Sequence, residues 1–203
     1  DSASGVGKSV VGEVSGTGIS FGSVVQFESG ATSDIRVSYD SQTANKFMIV
    51  YRDTGNSASG TAISGSVSGT NISYGSSVVF NAATTTNIGF AVNPTTADKF
   101  LVSYKDNGNS NYGTAVILSV SGTSVSVGTE AVFSSANTEF TSVSYNPNDV
   151  TKFVVAYRDN GGTGDGIAKV GTISGTSISS FSSAVTYNTG DTYYTSLAFD
   201  VNT

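Results

Sequence analysis

The amino-acid sequence predicts an all-β protein built from four-stranded antiparallel repeats with a period of 53 residues. The first marker of the repeat is the pattern Lys-Phe-x-Val/Ile-x-Tyr-Arg/Lys-Asp, which starts at Lys46, Lys99 and Lys152. The second marker is Ser-Gly-Thr, which starts at residues 15, 68, 121 and 174. Two independent markers with one period indicate a repeat protein. Helical periodicity is absent, and Thr, Val and Ser dominate where helix-favouring residues would be needed.

Each repeat is predicted to contain four strands in a fixed order. The first strand is short, at residues 35–39, 141–145 and 196–199, and a turn follows it. The second strand is the Lys-Phe marker, whose nearly continuous apolar sequence indicates burial on both faces. The third strand, at residues 61–67 and 114–120, ends in the Ser-Gly-Thr turn. The fourth strand alternates, with Ile72, Tyr74, Val78 and Phe80 on one face, and Gly75 predicts a bulge or bend within it.

The chain forms one repeat domain, residues 1–203, with three whole units and a partial unit at either end. The whole units are residues 29–81, 82–135 and 136–189. Residues 1–28 hold a third and a fourth strand, and residues 190–203 hold a first strand. Joining the two ends would give a unit without its second strand, so a closed four-unit ring is disfavoured. We therefore expect either a longer array or like chains that complete one another.

Repeat length favours a β-propeller-like array. A four-stranded unit of about 50 residues has the size of a kelch-type propeller blade. A strand that is buried on both faces also fits, because each blade of a propeller packs between two neighbours. The alternative architectures are a linear solenoid and a string of β-sandwiches.

Three loops share the sequence Asp-x-Gly-x-Ser/Thr, and they begin at Asp53, Asp106 and Asp159. This motif resembles the Asp-box of sialidase-type propeller repeats, which implies a hairpin whose Asp accepts hydrogen bonds from the backbone. The family pattern continues with Trp or Phe, whereas this chain has Ala58, Asn111 and Gly164. In these loops we expect Asp to accept backbone hydrogen bonds and Gly to supply positive φ. The chain as a whole is similar to propeller-type repeats of bacterial surface proteins and phage tail-fibre proteins.

Composition excludes several functional classes. The 203 residues include no Cys, His or Trp, which rules out disulfides, thiol or imidazole catalysis and Cys/His zinc sites. Oxygen ligands alone remain, so calcium is the one cofactor to expect, with Asp159 and Asp165 as its ligands. Net charge is −6 with nine Lys and Arg residues, which provides no basic stripe for nucleic acid. No apolar run approaches the roughly 18 residues of a membrane helix.

These features favour a non-enzymatic structural and adhesive scaffold that is extracellular, on a cell surface or on a virion. Its expected partners are glycans or other surface and virion proteins, and no catalytic residue is predicted. Tyrosine rings can stack on sugars while amides bond hydroxyl groups, so the candidate ligand-binding residues are Tyr112, Tyr193, Tyr194, Asn109 and Asn111.

Two other functions are compatible with the sequence. The first is a purely structural subunit whose incomplete end repeats mediate self-association. The second is a relative of sialidase-like glycoside hydrolases, which would need two carboxyl groups roughly 5–9.5 Å apart and an arginine cluster. The chain has three arginines, and Arg52 and Arg158 occupy equivalent repeat positions where Lys105 substitutes. Such repetition points to a structural role rather than a catalytic one.

Overall fold

The computed structural model describes residues 5–200, and every regular element in it is a β-strand. The described residues include no helix of the length and apolarity required to cross a membrane. Pairing between the named strands is antiparallel throughout. The predicted all-β, antiparallel architecture is therefore confirmed.

The strands of the N-terminal part and the first two units follow one another with short connections. They are β1 (Val6–Ser9), β2 (Gly12–Ser15), β3 (Gly18–Phe21), β4 (Val25–Tyr39), β5 (Lys46–Asp53), β6 (Ser59–Ser68), β7 (Asn71–Tyr74), β8 (Val78–Val92), β9 (Lys99–Asp106), β10 (Tyr112–Ser121), β11 (Ser124–Val127) and β12 (Ala131–Ser134). The third unit contains β13 (Thr138–Tyr145), β14 (Lys152–Asp159), β15 (Asp165–Ser174), β16 (Ser177–Phe181) and β17 (Val185–Asn188).

Strand positions recur with the predicted period. Second strands start at residues 46, 99 and 152, and third strands start at residues 59, 112 and 165, so each interval is 53 residues. Every second strand lies between a first and a third strand of its unit. The fourth strand is split in two, because Gly75 and its neighbours separate β7 from β8. A Cβ atom at Gly75 would lie 2.1 Å from the carbonyl oxygen of Thr123 in the next unit, so this interruption also allows close packing.

Two long strands connect successive units. Residues 25–31 of β4 pair with β1, whereas residues 32–39 of the same strand pair with β5. β8 likewise pairs with β6 through its first half and with β9 through its second half. The unit boundaries taken from the sequence, at 28/29 and 81/82, thus fall inside continuous strands.

The second strands are buried on both faces, as predicted. In β9, Phe100 and Val102 belong to one apolar core together with Met48 of the preceding unit. The side chain between them, Leu101, points to the opposite face and packs in a second core with Phe153 of the following unit. Each sheet therefore stabilises its neighbour, and the hydrophobic cores lie between units rather than within them.

One predicted strand is wrong. Residues 196–199 were expected to form a first strand, but residues 192–200 have no strand assignment. In the whole units a first strand is held by backbone hydrogen bonds to a second strand. In the described part of the chain no second strand forms ladder hydrogen bonds with residues 192–199. The sheets of residues 5–200 are open, and closure into a propeller remains a prediction.

Candidate functional site

First-strand segments from all four repeats meet at one cavity, which we name the first-strand cavity. Its volume is about 300 Å³. The lining residues come from β4, β8, β13 and the C-terminal segment, and they are Asp34, Arg36, Asn87, Phe140, Thr141, Tyr194 and Thr195. A cavity of this size lies at the lower end of the range for small-molecule sites.

The backbone is unusual at one equivalent position in each of these segments. Asp34, Asn87, Phe140 and Tyr194 have φ values of 49°, 55°, 50° and 53°, in the left-handed region that side chains other than glycine rarely adopt. These positions are 53, 53 and 54 residues apart. In the three assigned first strands the position coincides with a register shift in the pairing to the second strand. Such bulges redirect side chains and recur near functional sites.

Hydrogen bonds tie these bulges to one another. The backbone N–H of Phe140 donates to Oδ1 of Asn87 at 3.0 Å, and the hydroxyl of Thr141 donates to the Asn87 carbonyl oxygen at 2.7 Å. One repeat further on, the hydroxyl of Thr195 donates to the Phe140 carbonyl oxygen. The C-terminal segment therefore docks on the third unit as the third unit docks on the second.

Aromatic rings form one wall of the cavity. The rings of Phe140 and Tyr194 have centroids 5.0 Å apart, and the ring of Tyr193 lies 5.6 Å from Phe140. Tyr194 is 84% exposed, so its face is open to solvent. The guanidinium of Arg158 lies 4.5 Å above the Tyr193 ring, a cation–π arrangement that fixes Tyr193.

Charged partners differ between equivalent repeat positions. Arg158 pairs with Glu139 at 3.2 Å and with Asp191 at 2.5 Å, which agrees with the structural role expected for Arg158. In the first unit the residue opposite Arg52 is Ser33 rather than a glutamate. Within residues 5–200, Nε of both arginines and Oγ of Ser33 are buried without a hydrogen-bond partner. The arginine thus recurs at this repeat position, but the ion pairs of Arg158 are not reproduced at Arg52 among the described residues.

The five predicted ligand-binding residues do not form one group. Tyr194 lines the first-strand cavity, and Tyr193 adjoins it through Phe140. Tyr112, Asn109 and Asn111 lie at the hairpin between β9 and β10, where the backbone N–H of Tyr112 donates to the Asn109 carbonyl oxygen.

Six residues that line the cavity were not predicted as site residues from the sequence: Asp34, Arg36, Asn87, Phe140, Thr141 and Thr195. Three of them, with Tyr194, share one repeat position, but four different residue types occupy it. The constant spacing of these positions was the one signal in the sequence, and no sequence motif coincides with them.

The two aspartates of the predicted calcium site lie opposite each other at the end of β14 and β15. The carboxylate of Asp159 accepts a hydrogen bond from the backbone N–H of Gly161, and that of Asp165 accepts one from Gly190. Hydrogen bonds from the Thr163 hydroxyl and from Gly190 lower the pKa of Asp165. Among residues 5–200 no three acidic side chains are grouped closely enough to hold a metal. Calcium binding by this pair remains a prediction.

The Asp-x-Gly-x-Ser/Thr loops have the hydrogen bonds that were predicted for their aspartates. Oδ1 of Asp106 accepts from the backbone N–H groups of Gly108 and Asn109, at 3.0 and 3.2 Å. The role predicted for the glycine was wrong, because positive φ falls two residues later, at Ser110. Gly108 is needed for close packing, since a Cβ there would lie 2.3 Å from Cβ of Ala83.

The aspartate of the first of these loops, Asp53, has an acidic neighbour, Glu28. Burial, followed by the negative charge of Glu28, raises the pKa of Asp53. Glu28 keeps its own charge, because hydrogen bonds from Gly30, Tyr51 and Ser29 lower its pKa. A raised folded-state pKa of Asp53 contributes stability at low pH, and this contribution is lost as pH rises from about 3.9 through the folded pKa.

We expect Glu28→Gln to lower the pKa of Asp53, because the substitution removes the neighbouring charge and leaves burial unchanged. The measurement is an NMR titration of the Asp53 carboxyl carbon. Glu13→Gln, a substitution of an exposed residue of β2, is the control and should leave the titration unchanged. An unchanged Asp53 midpoint in Glu28→Gln would mean that burial alone causes the shift.

Comparison with known proteins does not assign the chain to a family. No family profile, no curated protein and no solved structure matches it.

Proposed function

We propose that this chain is a non-enzymatic repeat scaffold of the β-propeller type whose first-strand cavity binds a carbohydrate. The observation that carries the proposal is the set of four equivalent, bulged positions that bear Asp34, Asn87, Phe140 and Tyr194 around one cavity. A left-handed backbone at Phe and Tyr costs free energy, of order 1–3 kcal/mol per residue. Its recurrence at these positions is typical of a functional constraint.

The chemistry of the cavity suits a sugar. Open aromatic faces pack against the C–H faces of a pyranose ring, while carboxylate, amide and guanidinium groups bond its hydroxyls. Phe140 and Tyr194 supply the aromatic faces, and Asp34, Asn87 and Arg36 supply the polar groups. No hydrogen bond or ion pair to another residue of the described chain engages the Asp34 carboxylate, so it is available to a ligand.

A circular arrangement of the units is supported by a second cavity, of about 370 Å³. It brings together Ser38 of the first unit, Val143 of the third and Leu197 of the C-terminal segment. In a linear solenoid each repeat contacts its immediate neighbours alone. First-strand segments of the first and fourth repeats that share a cavity favour a ring around an axis, as in a propeller.

Binding is favoured over hydrolysis by the set of acidic groups. Two-carboxylate glycoside hydrolysis needs a pair of carboxyl groups about the scissile bond, and Asp34 is the one carboxylate among the described residues that line the cavity. We infer placement outside the cell or on a virion from the association of such surfaces with a composition that combines low charge with 24 glycines. A scaffold of this kind would present the cavity to surface glycans.

The experiment is a glycan array, with and without calcium, followed by titration calorimetry on any hit. We expect Tyr194→Ala to weaken binding about tenfold, equivalent to about 1.4 kcal/mol, because it removes one aromatic face. Tyr194 is 84% exposed, so its truncation should leave the fold intact. Tyr112→Ala is the matched control outside the cavity. A blank array, or a hit that Tyr112→Ala abolishes and Tyr194→Ala does not affect, would contradict the proposal.

A further inference from the structure

Two parts of the chain present the edges between which a second strand would lie. In each whole unit the second strand pairs with a first strand on one side and a third strand on the other. Residues 6–15 are the third strand of the N-terminal partial unit, and within the described chain they form strand pairs with β4 and β3. Residues 192–199, the C-terminal first-strand segment, belong to no strand pair there.

Apolar side chains at equivalent repeat positions differ in their exposure to solvent. Val10 is 42% exposed, whereas the equivalent Val116 is fully buried. At the other end of the array, Val170 is 42% exposed and its equivalent Ile117 is 1% exposed. The equivalent residues Val116 and Ile117 are buried because an adjacent whole unit packs on each of them.

Two apolar cavities lie at these uncovered faces. One, of about 390 Å³, is lined by residues that include Val10, Val37 and Ile49. The other, of about 440 Å³, is lined by residues that include Ala156 and Ala168. Equivalent space inside the array is occupied by second-strand side chains. Between the first and second units, Met48 and Val50 fill the space against Phe100.

We propose that the two cavities are the two sides of one slot, which accepts a single extended strand with the pattern Lys-Phe-x-Val/Ile-x-Tyr-Arg/Lys-Asp. The residues that follow Phe and Val/Ile in the pattern would enter the cavity beside Ile49, as Met48 and Val50 do between the first two units. Phe, Val/Ile and Tyr of the pattern would enter the cavity beside Ala156. Backbone groups of the added strand would pair with residues 6–13 and 192–199, which is recognition by β-strand addition.

The positions of the two edges support a single slot. Asp34 and Tyr194 line one cavity, and Ser38 and Leu197 line another, so the first strand of the first unit lies near the C-terminal segment. This proposal does not depend on carbohydrate binding. It also does not depend on the source of the strand, because what the two faces require is one strand of defined side-chain alternation.

The test is the binding of a synthetic peptide with the sequence of residues 97–108 to the full chain. We expect saturable 1:1 binding by titration calorimetry, with slower amide hydrogen exchange at residues 6–13 and 192–199. The control peptide has the same composition with each apolar residue exchanged with its neighbour, which reverses the two faces, and it should bind at least about tenfold more weakly.

Two substitutions at residues that are not fully buried test the slot without removing a side chain from the core. Val10→Lys and Ala168→Lys place a charge in the first and the second of the two cavities, at residues that are not fully buried, and either should weaken peptide binding. Equal binding of both peptides, or protection confined to residues outside the slot, would overturn the proposal. A concentration-dependent dimer in light scattering together with no peptide binding would show that a second copy covers these faces, and it would also overturn it.

Discussion

Tyr145→Ala should lower the free energy of unfolding by about 3–5 kcal/mol, in the range for loss of a large buried ring. Tyr145 is 4% exposed and belongs to the core between the second and third units. Truncation would leave a cavity at a unit junction, so the loss should appear in the cooperative unfolding of both units.

Tyr39→Ala is the matched control, because Tyr39 holds the same repeat position two units earlier. Tyr39 is 53% exposed, and its one aromatic contact is an edge contact with Phe47 at 5.9 Å. We expect a loss below about 1 kcal/mol, as for surface substitutions. Urea denaturation followed by circular dichroism measures both values. Equal losses would mean that the face bearing Tyr39 is covered in solution.

Gly113→Ala should destabilise the chain by about 1–3 kcal/mol, the usual cost of overpacking a core. A Cβ at Gly113 would lie 2.3 Å from the ring of Phe133, which is 2% exposed and cannot move outward without opening the core. The same glycine–aromatic pair recurs, with Gly60 against Phe80 and Gly166 against Tyr187. Each unit thus seats an aromatic ring directly on the backbone of its third strand.

Gly162→Ala provides the control for this substitution. A Cβ at Gly162 would meet no atom within 4 Å, and its φ is not positive. Alanine there should be neutral or stabilising by about 0.4–1 kcal/mol, through the lower entropy of the unfolded chain. Thermal unfolding of the two variants separates crowding at Gly113 from a general effect of replacing glycine. A neutral Gly113→Ala would show that Phe133 can move aside at little cost.

The sequence predicted those features of the fold that depend on repetition and alternation. The Lys-Phe strands are buried on both faces, the Ser-Gly-Thr turns follow the third strands, and Gly75 interrupts the fourth strand. The periodicity of the apolar residues indicates which faces of a strand are buried. Identical spacing of the motifs indicates that the same packing arrangement recurs in each unit. Local turn chemistry was less well predicted, since Gly108 serves close packing and Ser110 adopts the positive φ.

Most residues of the candidate site could not be predicted from the sequence. They occupy the same position in each repeat, but they are of different residue types and therefore form no motif. Of the five residues proposed from composition, Tyr194 alone lines the first-strand cavity. Asp34, Asn87 and Phe140 join it because a bulge in each first strand turns them to the same place. Phe140 directly precedes the predicted strand 141–145, and a phenylalanine in such a place would ordinarily be assigned to the core.

By itself, the sequence determined the all-β class, the period of 53 residues and the order of strands within each unit, because these follow from local side-chain alternation and turn residues. The tertiary structure alone decided that first strands from distant repeats share a cavity, that Arg158 has acidic partners which Arg52 lacks within residues 5–200, and that Val10 and Val170 are partly exposed while their repeat equivalents are buried. Those features depend on how whole sheets stack on one another. The stacking is governed by packing between units, and the sequence of one unit carries little record of it.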